Sequence, residues 1–237
     1  METSLVLLGF GDAGWGDEIA LGVLVTVSLA LATLPVGLFI GFMIALAKQS
    51  SEWSVRTAAD IYTTIFRGLP ELLTLFLVYF GMQIALQQLM KALGVESAIE
   101  INSFVAGVIA LALVFSSYSS EVFLSAFRAI PSGQYEGGYA LGLRHRTVMR
   151  LVVLPQLIRI ALPGLGNLWM ILLKDTALVS AIGLTDILRQ TGIAARVTKQ
   201  AFMFFGLAFV LFLVLALLSS IVLGRIEARV RRGEATR

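Results

Sequence analysis

Three carboxylates and one ammonium stand in or beside stretches that otherwise carry no charge: Glu71, Glu121, Asp175 and Lys174. An ionisable group in an apolar run is a site candidate, because it is costly there unless it faces a protein interior or a watery cavity. Glu121 precedes Arg128 by seven residues, which in a helix puts its carboxylate about 10 Å further in. There it can neutralise a cationic side chain or the ammonium of a passing solute. It can equally form a structural ion pair with Lys174, and both readings stand. Lys174 and Asp175 are consecutive, and neighbours on a helix point about 100° apart, so they cannot simply satisfy each other. Asp175 with Thr176 and Ser180, the latter two at i and i+4, can present a carboxylate and hydroxyls toward a pathway. Lys174 reads instead as packing and charge balance. Glu71 follows Pro70 at a helix start, where an acidic first turn offsets the dipole, a structural role set against contact with a substrate.

Other chemistries are excluded or weak. The chain has no cysteine, which removes disulfides, thiolate metal sites and a cysteine nucleophile. Its single histidine, His145, lies between Arg144 and Arg146 and reads as a solvated surface residue, with no metal-binding histidine pair available. Gly9, Gly11 and Gly14 match G-x-G-x-x-G. No acidic residue follows at the distance a ribose hydroxyl needs, so they read as flexible external glycine. There is no G-x-x-x-x-G-K-[ST] either, so a phosphate-cradling loop is absent and any ATP must be hydrolysed by another chain.

The elements that position these groups follow from composition. Of 237 residues, 58% are hydrophobic and 14% charged, against roughly 25% charged in a soluble domain. Four long uncharged runs, 19–47, 72–90, 101–120 and 201–224, are each long enough to cross a bilayer, which takes roughly 20 residues, and backbone satisfaction in lipid makes them helices. The expected architecture is an all-α integral membrane domain over 19–225, with five spans at about 19–47, 68–90, 101–127, 160–182 and 201–224. An external segment 1–18 precedes it, a cytoplasmic loop at about 129–159 carries a surface helix, and a basic tail 226–237 follows. The first run is about 43 Å as a helix, longer than the hydrocarbon layer, with Pro35 as its natural bend and Gly37 and Gly41 as a close-packing pair. Thirteen basic residues fall in the segments 48–67, 121–159 and the tail, against Lys91, Arg189, Arg196 and Lys199 on the other side. Cytoplasmic loops are enriched in Lys and Arg, so the N-terminus is expected outside and the C-terminus in the cytoplasm. The same dispersed charge argues against nucleic-acid binding, which needs a clustered stripe.

The loop at 129–159 contains Glu136, Gly137, Gly138, Gly142, Leu154 and Pro155. It resembles the E-A-A-x-x-x-G-(nine residues)-I-x-L-P loop of ABC importer permeases, with both alanines replaced by glycine and the isoleucine by Val152. Small residues let a short helix seat closely in a partner's cleft, and a lipid-surface helix would favour bulky apolar residues instead. Thr64 to Glu71, Tyr118 to Glu121, Ala161 to Asn167 and Leu173 to Ser180 resemble the polar amino-acid branch, especially the arginine, histidine and opine permeases. The likeness covers roughly Asp17 to Arg225.

This resemblance implies a type I importer fold of five core helices with a cytoplasmic coupling helix. It implies a heterodimer-type pairing with a second permease subunit, two ATPase subunits, an external substrate-binding protein, and residence in a bacterial inner membrane. ATP and magnesium would be bound by the ATPase, and no cofactor by this chain. Coupling is expected at Glu136, Gly137, Gly138, Gly142, Leu154 and Pro155. The substrate pathway is expected at Tyr118, Glu121, Asp175, Thr176, Ser180 and Glu71, for a basic amino acid or related cation. An ion-coupled amino-acid carrier is the alternative, disfavoured by the lack of an inverted repeat; a membrane scaffold without transport is a third.

Overall fold

The computed structural model of the chain describes residues 6–11, 14–94 and 100–232. Glu2 and Asp12 of the expected external segment, and residues 233–237 of the expected tail with Arg237, lie outside the described residues. Among the described residues every regular element is helical. The chain runs through α1 (Gly16–Lys48), α2 (Trp53–Gly68), α3 (Glu71–Ala92), α4 (Ser103–Ala129), α5 (Ser132–Ala140) and α6 (His145–Val148). A π-helical turn (Met149–Val153) leads into α7 (Leu154–Asp175). A 3-10 segment (Thr176–Ile182), α8 (Ile187–Thr198) and α9 (Ala201–Arg232) complete it. Five helical stretches are long and apolar enough to cross a membrane.

The centre is α4, whose buried residues run from Ala106 to Phe127. It lies parallel to α1, and small residues make that approach possible. A Cβ on Gly37 would stand 2.6 Å from the Phe115 ring, and one on Gly41 would stand 2.9 Å from the Ser116 carbonyl and collide with the Ser119 hydroxyl. The facing pairs climb together in sequence, which is the signature of a parallel pair. Without a hydrophobic drive between helices in lipid, such close backbone contact is what holds them. α1 continues as helix through Pro35, so the extra length of this 33-residue helix is not taken up by a break at the proline.

Two expectations change. Residues 48–67 are not a surface loop: α2 climbs beside α4, and its Tyr62 hydroxyl donates to the Leu113 carbonyl at 3.1 Å and pairs with Ser116 at 2.8 Å. Those partners sit at the middle of α4, so the C-terminal end of α2 reaches mid-span depth. There the helix breaks at Leu69 and Pro70 and resumes as α3. Interrupted backbone at such depth is tolerated where it is buried in protein or lines a watery cavity. The helix that carries the fourth span also starts earlier, running continuously from His145 to Ile182. Its π turn brings the Leu154 amide onto the Met149 carbonyl, immediately before Pro155, which has no amide to donate.

The described glycines near the N-terminus are tied by hydrogen bonds to the start of α1. The Gly16 amide donates to the Gly9 carbonyl at 2.9 Å, the Gly11 amide to the Asp17 carboxylate at 2.8 Å, and any Cβ on Gly14 would collide with the Gly9 carbonyl.

Candidate functional site

A cavity of about 590 Å³ opens where α1, α2 and α4 meet, lined by Lys48, Asp60, Thr63, Thr64, Arg67, Gly68, Tyr118 and Glu121. Each helix contributes through its local geometry. Lys48 ends α1, where a cation suits the negative end of the helix dipole; its side chain is only 8% exposed. Its ammonium lies 2.6 Å from Glu121 and 3.1 Å from Asp60. Arg67, at the end of α2, lies 3.5 Å from the same Glu121 oxygen, with its guanidinium carbon 5.7 Å from the centre of the Tyr118 ring. The Glu121–Lys174 pair, one of the two readings open for Glu121, is therefore not formed. Lys174 is exposed on α7, while folding of α2 brings two other cations to Glu121.

Tyr118 also lines a small apolar gap that contains Asp175, so it forms the wall between the open cavity and that carboxylate. Glu71, three residues beyond Gly68, is close enough for its charge to act on Asp175. Neither Glu71 nor Asp175 has an ion-pair partner within 4 Å among the described residues. The structure thus brings Tyr118 and Glu121 to the cavity, with Asp175 behind Tyr118 and Glu71 at the break in the second span. Thr176 and Ser180 are placed differently. Both hydroxyls donate to their own backbone, Thr176 to Leu173 at 2.7 Å and Ser180 to Ala177 at 2.8 Å. Because the segment is 3-10, with three residues per turn, Thr176 shares its buried face with Val179 and Ile182, and Ser180 points elsewhere. The i, i+4 pairing expected of an α-helix is lost.

Lys48, Asp60, Thr63, Thr64 and Arg67 were not legible as cavity residues from charge alone, which assigned their segment to the cytoplasmic side. The signal for them was Tyr62 and Phe66 at helical spacing just ahead of Gly68-Leu69-Pro70, which marks an interrupted helix.

At the end of the molecule where α1 and α4 finish, α5 exposes Glu136 and leaves Gly137 facing open space. Gly138 serves packing instead. It is buried beneath Val148, whose Cγ2 would stand 2.8 Å from a Cβ there. The helix ends in a Schellman motif, with the Leu143 amide on the Gly138 carbonyl at 3.2 Å and the Gly142 amide on the Tyr139 carbonyl at 2.9 Å. This requires Gly142 in the left-handed region, and its φ is +72°. A 3.0 Å bond from Gln156 to Gln134 ties α5 to the first turn of α7, which contains Leu154 and Pro155. His145 is exposed, yet its Nδ1 pairs with the Tyr139 hydroxyl at 2.8 Å.

At the opposite end Asp186 caps α8, accepting the Arg189 amide at 2.9 Å. Burial pushes its carboxyl up to about 6, with backbone amides opposing the rise. One of its oxygens has no hydrogen-bond partner. The adjoining Ile187 amide donates to Thr26 of α1 at 3.3 Å, and a Cβ on Gly22 would stand 2.9 Å from the Asp186 carbonyl.

An interrupted second span, a charged cavity beside the end of α1 and a glycine-rich surface helix define the membrane subunit of a transport system, a transport component and not an enzyme. The chain belongs to the family of binding-protein-dependent transport system inner membrane components, whose model matches residues 35–232. It is 44% identical to the nopaline transport system permease protein NocQ of Agrobacterium fabrum, over 91% of this chain and 92% of that protein. It is 37% identical to the histidine/lysine/arginine/ornithine transport system permease protein HisQ of Salmonella typhimurium, over 91% and 94%. A crystal structure of an amino acid ABC transporter with histidines superposes with a TM-score of 0.77 at 33% identity, over 91% of this chain and 95% of that one. The inward-facing MetNI methionine ABC transporter, 18% identical with a TM-score of 0.69, shares the fold. These likenesses favour an ABC permease over an ion-coupled carrier, and a multi-pass inner-membrane protein follows.

Proposed function

We propose that this chain forms one half of the translocation pathway of an ATP-driven importer for basic amino acids or related cations. A second permease subunit completes the pathway, two ATPase subunits bind ATP and magnesium, and an external binding protein delivers the substrate. The N-terminus is outside and the C-terminus cytoplasmic, so that Glu136, Gly137, Gly142, Leu154 and Pro155 meet the ATPase, with Gly138 holding α5 in place beneath Val148.

One observation carries the substrate class. Around the cavity, Lys48 and Arg67 are already matched by Asp60 and Glu121; behind Tyr118, Asp175 is acted on by both Glu71 and the adjacent Lys174, so the two carboxylates outnumber the one cation there. Two carboxylates repelling each other at low dielectric are relieved by a cation between them. Arg67, about half exposed, is placed to take the carboxylate of an amino acid. Glu121, neutralised twice, serves to hold these cations rather than to bind substrate. The NocQ and HisQ relatives, whose names carry nopaline and the basic amino acids, support the same class.

The test is uptake of labelled arginine into proteoliposomes containing the assembled transporter and its binding protein. Asp175→Asn and Glu71→Gln are each expected to lower uptake about tenfold or more, roughly the worth of one charge-assisted contact, with assembly intact. Unchanged arginine uptake in both variants would overturn the assignment. So would a preference for an uncharged amino acid over arginine in the unsubstituted transporter.

A further inference from the structure

A second cavity lies away from the pathway, on the flank formed by α1, α7 and α9. It has a volume of about 530 Å³, and its walls are apolar apart from Ser219. Along α7 the wall runs from Leu162 to Leu173, and along α9 from Leu215 to Ile226. Eleven residues of helix span about 16 Å, which is half of the roughly 30 Å hydrocarbon layer, and Val27 to Leu38 of α1 form the third wall.

The helical repeat identifies what stands at one end of the groove. One turn beyond Leu162, α7 carries Arg159; one turn beyond Ile226, α9 carries Arg229; both are exposed. The two helices run antiparallel, Gly166 of α7 facing Leu223 of α9, so both arginines stand at the same end of the groove, the end that also bears α5. One carboxylate is nearby: the Glu227 Oε1 would lie 3.6 Å from a Cβ on Gly166. Arg159, Arg225 and Arg229 outweigh it. The mouth of the groove is therefore net positive at headgroup level.

We infer that a phospholipid with a negatively charged headgroup seats one acyl chain in this groove and rests its phosphate on Arg159 and Arg229. Basic pockets between membrane helices on the cytoplasmic side are where acidic headgroups bind. Long arginine side chains extend from the apolar wall to reach them.

The assembled transporter in mild detergent is titrated with phosphatidylglycerol or with phosphatidylcholine of the same acyl chains, and bound lipid is counted by native mass spectrometry. Phosphatidylglycerol is expected to be retained at about tenfold lower concentration, since each arginine near the surface contributes a several-fold preference. Arg159→Gln with Arg229→Gln should bring the two lipids together. Val222→Trp, entering the groove from a half-exposed wall position, should lower retention of both. Equal retention of the two lipids by the unsubstituted protein would overturn the inference, as would a preference that survives the double substitution. Retention untouched by Val222→Trp would place the lipid elsewhere and overturn it as well.

Discussion

Lys48 looks in the sequence like one more basic residue at the end of a span, yet it is the anchor of the charged cavity. Its ammonium is nearly enclosed and serves Asp60 and Glu121 together. Breaking a buried pair by removing one partner is costly because the other charge is stranded, while replacing both is often nearly neutral. Glu121 keeps Arg67 and is one-third exposed, so the loss is moderated. Lys48→Met is expected to lower stability by about 1–3 kcal/mol, or several degrees in thermal midpoint. Lys48→Met with Glu121→Gln should recover at least half of that. A midpoint unchanged by Lys48→Met would show that the pair contributes nothing to holding α1, α2 and α4 together. The order of charges along the chain identifies Glu121 as needing a partner; it does not identify which one, because the answer depends on α2 folding back against α4.

At the scale of elements, the short α5 is set apart from the membrane helices by how it ends. Gly142 supplies the left-handed residue of its Schellman cap, and a Cβ there would meet nothing within 4 Å. A substitution therefore acts through the backbone alone, at a cost of about 1–2 kcal/mol for a β-branched side chain. Gly142→Val should leave the chain able to assemble but uncouple ATP hydrolysis from uptake, since α5 would end differently. Gly142→Asn, which tolerates the left-handed region, should keep most of the coupling. If Gly142→Val transports normally per ATP hydrolysed, the end of α5 has no part in coupling. The glycines of this segment are readable as small in sequence. Their division of labour, Gly138 under Val148 and Gly137 left open, comes only from the fold.

For the whole molecule, orientation in the membrane rests on the balance of basic residues between its two faces. Lys48 and Arg67 are engaged internally with Glu121, so they no longer count as free loop charges. Eleven of the thirteen basic residues remain on the side assigned to the cytoplasm, against four opposite, and the asymmetry survives. Because the chain has no cysteine, Glu136→Cys provides a single thiol in this subunit. It should react with a membrane-impermeant maleimide in inside-out vesicles and be protected in intact spheroplasts. Labelling from the outside would invert the topology and remove α5 from contact with any cytoplasmic ATPase.

The chain alone determined the solvent in which it folds: uncharged runs longer than a bilayer leave helices as the way to satisfy the backbone, and the Glu136 to Pro155 spacing marks the family. Tertiary structure decided what neither period nor charge encodes. Helix α2 lies at mid-span depth because Tyr62 finds its hydrogen-bond partners halfway along α4. The segment after Asp175 winds as a 3-10 helix, which rotates Ser180 away from the buried face shared by Thr176, Val179 and Ile182. Glu121 is matched by Lys48 and Arg67, while Glu71 and Asp175 have no ion pair within 4 Å among the described residues. Ion pairing depends on distances across helices far apart in sequence, and those distances exist only once the helices have packed.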